Sequence, residues 1–476
     1  MNRFGALEPV LSLFAKPGFL RNENLTRYSE VMNEIEIVLR KIRDTKALEF
    51  GVGAMEKVPS MFEKLFPGKT AVVVADNVTY DIAGKTIYNY LEKAGVRTAP
   101  SFIFTDPGLY AEWTYLEQLE SYMKERDVIA VAVGVGVIND LTKLASSHLG
   151  RRYIIVGTAA SMDGYTAYGA SITYHGNKQT FDCSAPLGMV MDPAVVAKAP
   201  NKITASGYGD LIAKITSGAD WIIADGLGSE RIDEFAFSLV QQNLSKALAD
   251  PDAIASGDVV AVGNLAYELI MSGFAMQSML SSRPASGAEH LFSHYWDMEG
   301  LCYKGRHVPH GFSVAIGTLV SVACLEFLLK KDFSTIDIDR TVSIWPEWEA
   351  MEEIIREVFD GMPEHLSKGL AESKSKYIDK DGLRKQLGVL KRSWPELRQK
   401  IQNQIILFND VRERLKRVGA PYEPEMIGVS REKLRNTFRA IPYMRNRFTN
   451  IDLIHRTGLM DEAENYIFGE GGYYEC

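Results

Sequence analysis

Residues 128–158 decide the fold class, and they read VIAVAVGVGVINDLTKLASSHLGRRYIIVGT. An apolar run ends in two glycines, a helix is predicted around 139–148, and a second apolar run follows. Earlier apolar runs, LEFGVGAM, TAVVVADN and SFIFTDP, alternate with helical segments in the same way. Short strands that are apolar on both faces and alternate with helices are typical of a mostly parallel sheet. The sequence therefore predicts an α/β N-terminal domain that binds ligands at the carboxyl ends of its strands.

Beyond about residue 200 the strand signals fade and helical patterns take over. Apolar, buried helices are predicted at 259–279 and 311–331, and a charged helix at 395–418. We predict three segments, which are a lead-in of residues 1–47 with an amphipathic helix over 25–44, an α/β domain of residues 48–200, and a helical domain of residues 201–476.

The overall composition excludes several classes of protein. A net charge of −8 and a pI near 5.7 disfavour nucleic acid or an anionic membrane as the main partner. The four cysteines form no C-x-x-C pair, which favours a reducing cytoplasm. The N-terminus has no signal-like apolar run, and we expect no stretch to approach the ~20 apolar residues of a spanning helix. We therefore expect a cytoplasmic protein without membrane insertion, and a homodimer is compatible with its helical region.

Two polar turns follow predicted strands. Residues 133–140, VGVGVIND, would open a helix whose free N–H groups favour an anion such as a pyrophosphate, although a plain tight turn fits equally well. Asp76 at the end of VVVAD would accept hydrogen bonds from a ribose or cap the next helix. In the second turn, 157–164, Asp163 would bind a hydroxylated ligand or form an Asx turn.

Four of the eight histidines lie within residues 290–310. His290 and His294 are four residues apart and would share one face of a helix, and His310 lies at a loop or a helix start. With Asp210 of GYGD, His290 and His310 would complete a two-histidine, one-carboxylate metal site suited to zinc, nickel or ferrous iron. The alternatives are core or capping histidines, and Asp210 as a helix N-cap.

Five motifs occur in a fixed order: GVGVIND-x-x-K, GTAASMDGY, GYGDLIAK, SGAEH-x-x-x-H and HVPHG. Together, over roughly residues 48–330, they resemble the sn-glycerol-1-phosphate dehydrogenases, in the superfamily of iron-containing alcohol dehydrogenases, glycerol dehydrogenase and dehydroquinate synthase. The bacterial, arabinose-operon-type members look closer than the archaeal ones. The resemblance implies a Rossmann-like nucleotide-binding α/β domain, an all-α metal-binding domain, and an active site in the cleft between them.

The resemblance also implies roles for individual residues. Asp210, His290 and His310 would hold a divalent metal, and Asp163, His294 and Asp210 would contact a small phosphorylated polyol, with Asp210 and His294 catalytic. NAD or NADP would be contacted by Asp76, Gly134, Gly136, Val137, Ile138, Asn139, Asp140, Thr158, Ala159, Ala160 and Ser161. The implied reaction interconverts dihydroxyacetone phosphate and sn-glycerol 1-phosphate, a step of glycerophospholipid metabolism, and Asp76 would favour NAD because a carboxylate repels a 2′-phosphate.

Three features depart from the family pattern. Ala167 replaces a serine expected to contact the cofactor, and the longer interval from His290 to His310 leaves His307 as an alternative ligand. Residues 345–476 extend past the usual family length. Candidate cations for a substrate phosphate are Lys214, Arg283, Lys304, Arg306 and His307. Alternative functions are a dehydrogenase for another polyol or polyol phosphate, a dehydroquinate-synthase-like cyclase, and a nucleotide-binding protein without activity.

Overall fold

The computed structural model describes residues 35–175 and 177–476. The strands are β1 Ala47–Phe50, β2 Thr70–Asp76, β3 Phe102–Phe104, β4 Val128–Gly134, β5 Ile154–Gly157, β6 Ala170–Tyr174, β7 Asn177–Phe181, β8 Gly188–Met191, β9 Cys302–Tyr303 and β10 Arg306–His307. The helices of seven or more residues are α1 Val58–Leu65, α2 Lys85–Lys93, α3 Trp113–Lys124, α4 Gly136–His148, α5 Asn201–Ile212, α6 Lys214–Gly226, α7 Glu234–Gln241, α8 Val259–Met279, α9 Ala288–Met298, α10 His310–Leu329, α11 Ile338–Ile344, α12 Trp348–Val358, α13 Pro363–Lys376, α14 Lys380–Gln404, α15 Phe408–Val418, α16 Arg431–Ala440, α17 Asn450–Arg456 and α18 Met460–Phe468.

Chain contacts divide the molecule into two units. The first contains the described residues up to Leu211 together with Ser245–Ser281, and the second contains Ile212–Leu244 and Ser282–Cys476. Helix α8, which the sequence suggested for the helical domain, therefore groups with the first unit. Residues 35–41 are helical, and the rest of the helix and lead-in expected before residue 35 lies outside the described residues.

A six-stranded sheet, in the order β1-β8-β5-β4-β2-β3, forms the core of the first unit, and all of its pairs are parallel. Strand β4 is buried along its whole length because helices cover both of its faces. This confirms the predicted α/β class. The chain runs from β2 out to β3 and returns to β4 on the other side of β2, so the strand order switches direction there. Ligands of such sheets bind at the carboxyl ends beside this switch point, here at the ends of β2 and β4.

Two elements of the first unit carry no clear sequence signal. The antiparallel hairpin β6–β7 and the short strand β8 were not predicted. Helix α5 approaches the loop after β5 so closely that a Cβ on Gly207 would lie 2.0 Å from the carbonyl oxygen of Ala160. Only glycine permits this approach, which brings the end of α5 to the loop that carries Asp163.

The second unit is helical, and α9 and α10 lie side by side within it. A Cβ on Gly317 would lie 2.2 Å from the carbonyl oxygen of Glu289, so α10 contacts the backbone of α9 directly. His310 is the first residue of α10, and His290 and His294 lie on α9. The shared helix for His290 and His294 is therefore confirmed, and of the two positions left open for His310, a loop or a helix start, the structure has the helix start.

Two expectations about the helices are wrong. The segment 395–418 is not one helix, since α14 ends at Gln404 and α15 begins at Phe408, whose backbone N–H donates to Glu326 Oε1 at 2.7 Å. Helices α8 and α10 are also long and apolar enough to cross a membrane, with mean hydropathies of 1.5 and 2.1. However, 78% and 89% of their apolar windows are buried, as expected of core helices in a globular protein.

Candidate active site

The turn between β4 and α4 presents backbone N–H groups at the carboxyl edge of the sheet. Val135 is the N-cap of α4 and supplies no side-chain hydrogen bond, and Gly136 and Val137 are half-buried. The neighbouring turn is fixed to this one because the backbone N–H of Thr158 donates to the carbonyl of Gly134 at 3.2 Å. An uncapped helix start beside a switch point suits a bound phosphate.

Asp76 has a structural task as well. Its Oδ1 accepts from the backbone N–H of Thr79 at 2.8 Å, and its own N–H donates to Thr79 Oγ1 at 3.1 Å. This reciprocal pair is a capping box at the helical turn Asn77–Thr79. The sequence left two roles open for Asp76, a ribose contact and a helix cap, and the structure shows the cap. The carboxylate of Asp76 is partly buried at the end of β2.

The remaining cofactor candidates on α4 are held within the protein. Ile138 is buried, and Asn139 accepts from Tyr153 Oη at 2.8 Å. Asp140 accepts from the backbone N–H of Ser171 at 3.4 Å, and its burial raises its pKa although nearby positive charges lower it. These side chains fix α4 to its surroundings, and the N–H groups at its first turn receive no side-chain cap.

Lys143 is a residue whose role the sequence did not reveal. Its fully buried Nζ donates to three carbonyl oxygens, those of Gly164 at 3.1 Å, Ala167 at 3.0 Å and Gly169 at 2.9 Å. It thereby fixes the loop that carries Asp163. The final lysine of GVGVIND-x-x-K was the available signal. Ala167, the departure from the family pattern, contributes its carbonyl to this contact.

The loop after β5 is equally constrained. Thr158, Ala159 and Ala160 are buried. Tyr165 Oη donates to the carbonyl of Ala159 at 2.8 Å and lies 3.1 Å from Ser161 Oγ.

Asp163 and Asp210 are in direct contact. The backbone N–H of Asp163 donates to Asp210 Oδ2 at 3.0 Å, and Asp163 Oδ2 accepts from Ser272 Oγ at 3.0 Å. Asp210 is fully buried in the last turn of α5, two residues before Ile212. The alternative that Asp210 caps the start of a helix is therefore wrong, because Asp210 lies near the C-terminal end of α5. The helix dipole disfavours a carboxylate at that end.

His290 and His310 face each other from α9 and α10. Their ring centroids are 5.4 Å apart, and His290 is 5% exposed. Nδ1 of His290 lies 2.8 Å from Glu289 Oε1, and His310 Nδ1 lies 3.5 Å from Ser293 Oγ. A carboxylate on Nδ1 orients the imidazole and leaves Nε2 for a ligand, as is usual around metals.

Three potential ligand side chains converge. Asp210, His290 and His310 each offer one ligand atom, and these three atoms all lie within 4.8 Å of one another. His307 is outside this group, since it is exposed on β10 with Nδ1 3.6 Å from Cys302 Sγ. The arrangement can hold a divalent cation through one oxygen and two nitrogen donors.

A buried acidic pair supports His290. Burial raises the pKa of Glu289, but the hydrogen bond and charge of His290, together with hydrogen bonds from Gly287 and Thr216, make the net shift downward. Burial and the negative charge of Glu289 raise the pKa of Asp220. Asp220 accepts from the backbone N–H groups of Ala288 and Asn450, both at 2.7 Å. Asp220 and Glu289 are supporting residues that the sequence analysis missed.

His294 lies one turn after His290, with a ring centroid distance of 6.5 Å. Burial lowers its pKa well below the usual value, and the positive charges of Arg445, His290, His310 and Lys368 lower it further. His294 is therefore a neutral imidazole at neutral pH.

The five cations proposed for a substrate phosphate fall into two groups. Lys304, Arg306 and His307 are exposed on the hairpin β9–β10. Lys214 and Arg283 are fully buried, and Arg283 donates to the carbonyl of Asp220 at 3.1 Å and pairs with Glu230.

Comparison with known proteins agrees with these observations. The family model for iron-containing alcohol dehydrogenase matches residues 49–200. The chain is 32% identical over 303 residues to glycerol-1-phosphate dehydrogenase, NAD(P)+, of Geobacillus thermodenitrificans, a match that covers 62% of this chain and 74% of the relative. The likeness to the crystal structure of glycerol dehydrogenase from Schizosaccharomyces pombe covers 89% of this chain and 91% of that one, with a TM-score of 0.57 at 17% identity.

A third relative bears on the C-terminal segment. The enzyme of the same name from Bacillus licheniformis is 27% identical over 416 residues, which is 87% of this chain and 89% of the relative. The part of this chain left outside that match is shorter than residues 345–476, so this relative shares part of that segment. The chain belongs to the glycerol-1-phosphate dehydrogenase family of metal-dependent, NAD(P)-linked oxidoreductases.

Proposed function

We propose that this protein reduces dihydroxyacetone phosphate to sn-glycerol 1-phosphate with NADH or NADPH, at a divalent metal held by Asp210, His290 and His310. The observation that carries the proposal is the convergence of those three ligand atoms within 4.8 Å, in a chain whose relatives bear that activity in their names.

The donor set fits a divalent transition metal. One carboxylate oxygen and two imidazole nitrogens, without a thiolate, suit zinc, nickel or ferrous iron and leave coordination positions for a substrate oxygen. The carboxylate of Glu289 at His290 Nδ1 is the kind of outer-shell partner that such sites use. When bound, the metal supplies Lewis acidity toward the substrate oxygen.

The sheet edge fits a dinucleotide. The uncapped start of α4 offers N–H groups to a pyrophosphate, and Asp76 at the end of β2 is placed for a ribose hydroxyl. Asp76 favours NAD over NADP because its carboxylate repels the 2′-phosphate of NADP. The nicotinamide supplies hydride chemistry, and the protein supplies orientation and exclusion of water.

The chain's own side chains would then handle the substrate. Asp163 is held by Ser272 and by the fixed loop around Lys143, so its carboxylate is pre-oriented for a substrate hydroxyl. His294 is a neutral imidazole one turn from His290, and it would exchange a hydrogen bond or a proton with the substrate.

The test is NADH oxidation by metal-reconstituted protein with three substrates: dihydroxyacetone phosphate, dihydroxyacetone and glyceraldehyde 3-phosphate. We expect turnover with dihydroxyacetone phosphate alone, lost with a chelator and restored by metal. The product should resist oxidation by an sn-glycerol-3-phosphate-specific enzyme. Turnover of a different phosphorylated ketone, or no NADH consumption at all, would contradict the proposal, since a cyclase uses its NAD without net consumption.

A further inference from the structure

Two cations of the second unit, Lys368 and Arg445, are not among the candidates for a substrate phosphate that the sequence suggested. Both lie in the segment after residue 345, and both are half-buried. The positive charges of both act on His294. Neither has a hydrogen-bond or ion-pair partner within the described part of the chain.

Two contacts of a neighbouring residue place Lys368 beside α9. On α13, the ring of His365 lies 4.9 Å from the ring of Tyr295, and its Nε2 lies 3.3 Å from the carbonyl oxygen of Tyr295. Tyr295 is the neighbour of His294, and Lys368 lies one turn after His365 on the same face of α13.

Arg445 is fixed by its neighbours. The backbone N–H of Asn446 donates to Glu372 Oε2 at 2.8 Å, four residues after Lys368 on α13. Arg447 Nη1 donates to the carbonyl oxygen of Ser286 at 2.6 Å, two residues before α9 begins. The segment that carries Arg445 is thus attached both to α13 and to the approach to α9.

The two positive charges of Lys368 and Arg445 destabilise the fold in this half-buried position. Burial lowers the pKa of Lys368, and the charge of Arg445 lowers it further, whereas the single carboxylate of Glu372 opposes both effects. A partly desolvated cation without a partner destabilises a fold unless an anion binds to it. A phosphate dianion accepts hydrogen bonds from an arginine fork and a lysine ammonium at once.

We infer that Lys368 and Arg445 form the subsite for the phosphate group of a phosphomonoester substrate, beside His294. This inference rests on the proposed function and deepens it, because it assigns recognition of the phosphate to residues of the C-terminal segment. The exposed Lys304 and Arg306 of the hairpin β9–β10 have no part in it.

The first arm of the test measures binding and needs no turnover. Inorganic phosphate is titrated calorimetrically into the metal-loaded full chain and into its Lys368→Met and Arg445→Met variants. We expect measurable binding to the wild type and at least about tenfold weaker binding to each variant, because each loses one charge-assisted contact. Equal phosphate affinity in the wild type and both variants, or no phosphate binding to the wild type, would overturn the inference.

The second arm measures selectivity. For each variant, kcat/KM for dihydroxyacetone phosphate should fall by about 100-fold while kcat/KM for dihydroxyacetone changes less than about threefold. Equal losses with both ketones would show a general structural role and overturn the inference. If the wild type fails to reduce dihydroxyacetone phosphate, the proposed function fails and the phosphate titration still decides this inference.

Two controls guard against misfolding. Arg306→Met removes an exposed arginine and should leave phosphate affinity and both rates unchanged. Arg445→Lys keeps the charge but loses the planar fork, and it should show an intermediate phosphate affinity. Without phosphate, both methionine variants should melt no lower than the wild type, because each removes an unpaired, half-buried charge. Melting well below the wild type in both would indicate a structural role and contradict the inference.

Discussion

The two units differ in the kind of group that they offer to a ligand, which is backbone in the first unit and ionisable side chains in the second. At the sheet edge of the first unit, the groups that we propose for ligand binding are backbone N–H groups at the start of α4, and the nearby side chains of Asp76 and Lys143 hold turns and loops. In the second unit, ionisable side chains are buried together, as in the contact of His290 with Glu289. A backbone cradle tolerates side-chain change, whereas a buried charged network depends on each member.

The largest expected effect tests that dependence. His290→Ala should remove the bound metal and lower kcat/KM about a thousandfold or more, because a metal ligand and its Lewis acidity are lost together. Metal content and the rate of NADH oxidation are measured on the same sample.

His307→Ala is the matched control on the exposed hairpin, and it should keep both metal and rate. Full activity in His290→Ala, or metal loss in His307→Ala, would refute the assignment of the ligands.

Buried ionisable groups should also make the stability of the second unit depend on pH. Burial lowers the pKa of His455 on α17 to about 4, against about 6.5 when unfolded. The unfolded chain takes up this proton first as the pH falls, so the free energy of unfolding drops by up to about 3 kcal/mol between pH 6.5 and 4.

His455→Phe should flatten this dependence, measured by urea unfolding at pH 7 and pH 4.5. His307→Gln on the surface should leave it unchanged. An identical slope in His455→Phe and the wild type would disprove the role of His455.

In each unit a helix lies so close to a backbone carbonyl that only glycine fits between them. Glycine substitutions test whether both units depend on such a contact for stability. Gly207→Ala and Gly317→Ala should each lower the free energy of unfolding by about 2 kcal/mol, because the new Cβ would collide with a carbonyl oxygen.

In α14, a Cβ on Gly388 would meet nothing nearer than Arg392 Nη1 at 3.5 Å. Gly388→Ala should therefore raise the free energy of unfolding by about 0.5–1 kcal/mol through helix propensity. If all three variants shifted the urea midpoint in the same direction, the close approaches would not be the cause.

The smallest effect concerns the support of His290. Glu289→Gln keeps the size of the side chain but loses its charge, so metal affinity should fall about tenfold. Competition with a metal-chelating dye measures this. Asp76→Asn, which keeps the helix cap, should leave metal affinity unchanged. A Glu289→Gln variant with native metal affinity would show that the contact does not orient the ligand.

The sequence predicted what depends on periodicity and motif order. The alternation of strands and helices identified the α/β class, and the spacing of His290 and His294 placed them on one helix, whereas His310 was left at a loop or a helix start. Prediction failed where tertiary contacts decide. Asp210 proved to lie in the last turn of a helix, and the N–H of Phe408, where α15 begins, donates to Glu326, which is distant in sequence. Lys368 and Arg445 belong to no motif, and contacts of α13 and of the segment around Arg445 bring them to α9.

The most direct test of the account is a titration of the metal-free protein with zinc, nickel or ferrous ion while NADH oxidation by dihydroxyacetone phosphate is followed. We predict no activity without metal and a rise in activity that ends at one metal ion per chain, with no rise in His290→Ala. Full activity of the metal-free protein, or the same titration curve in His290→Ala, would contradict it.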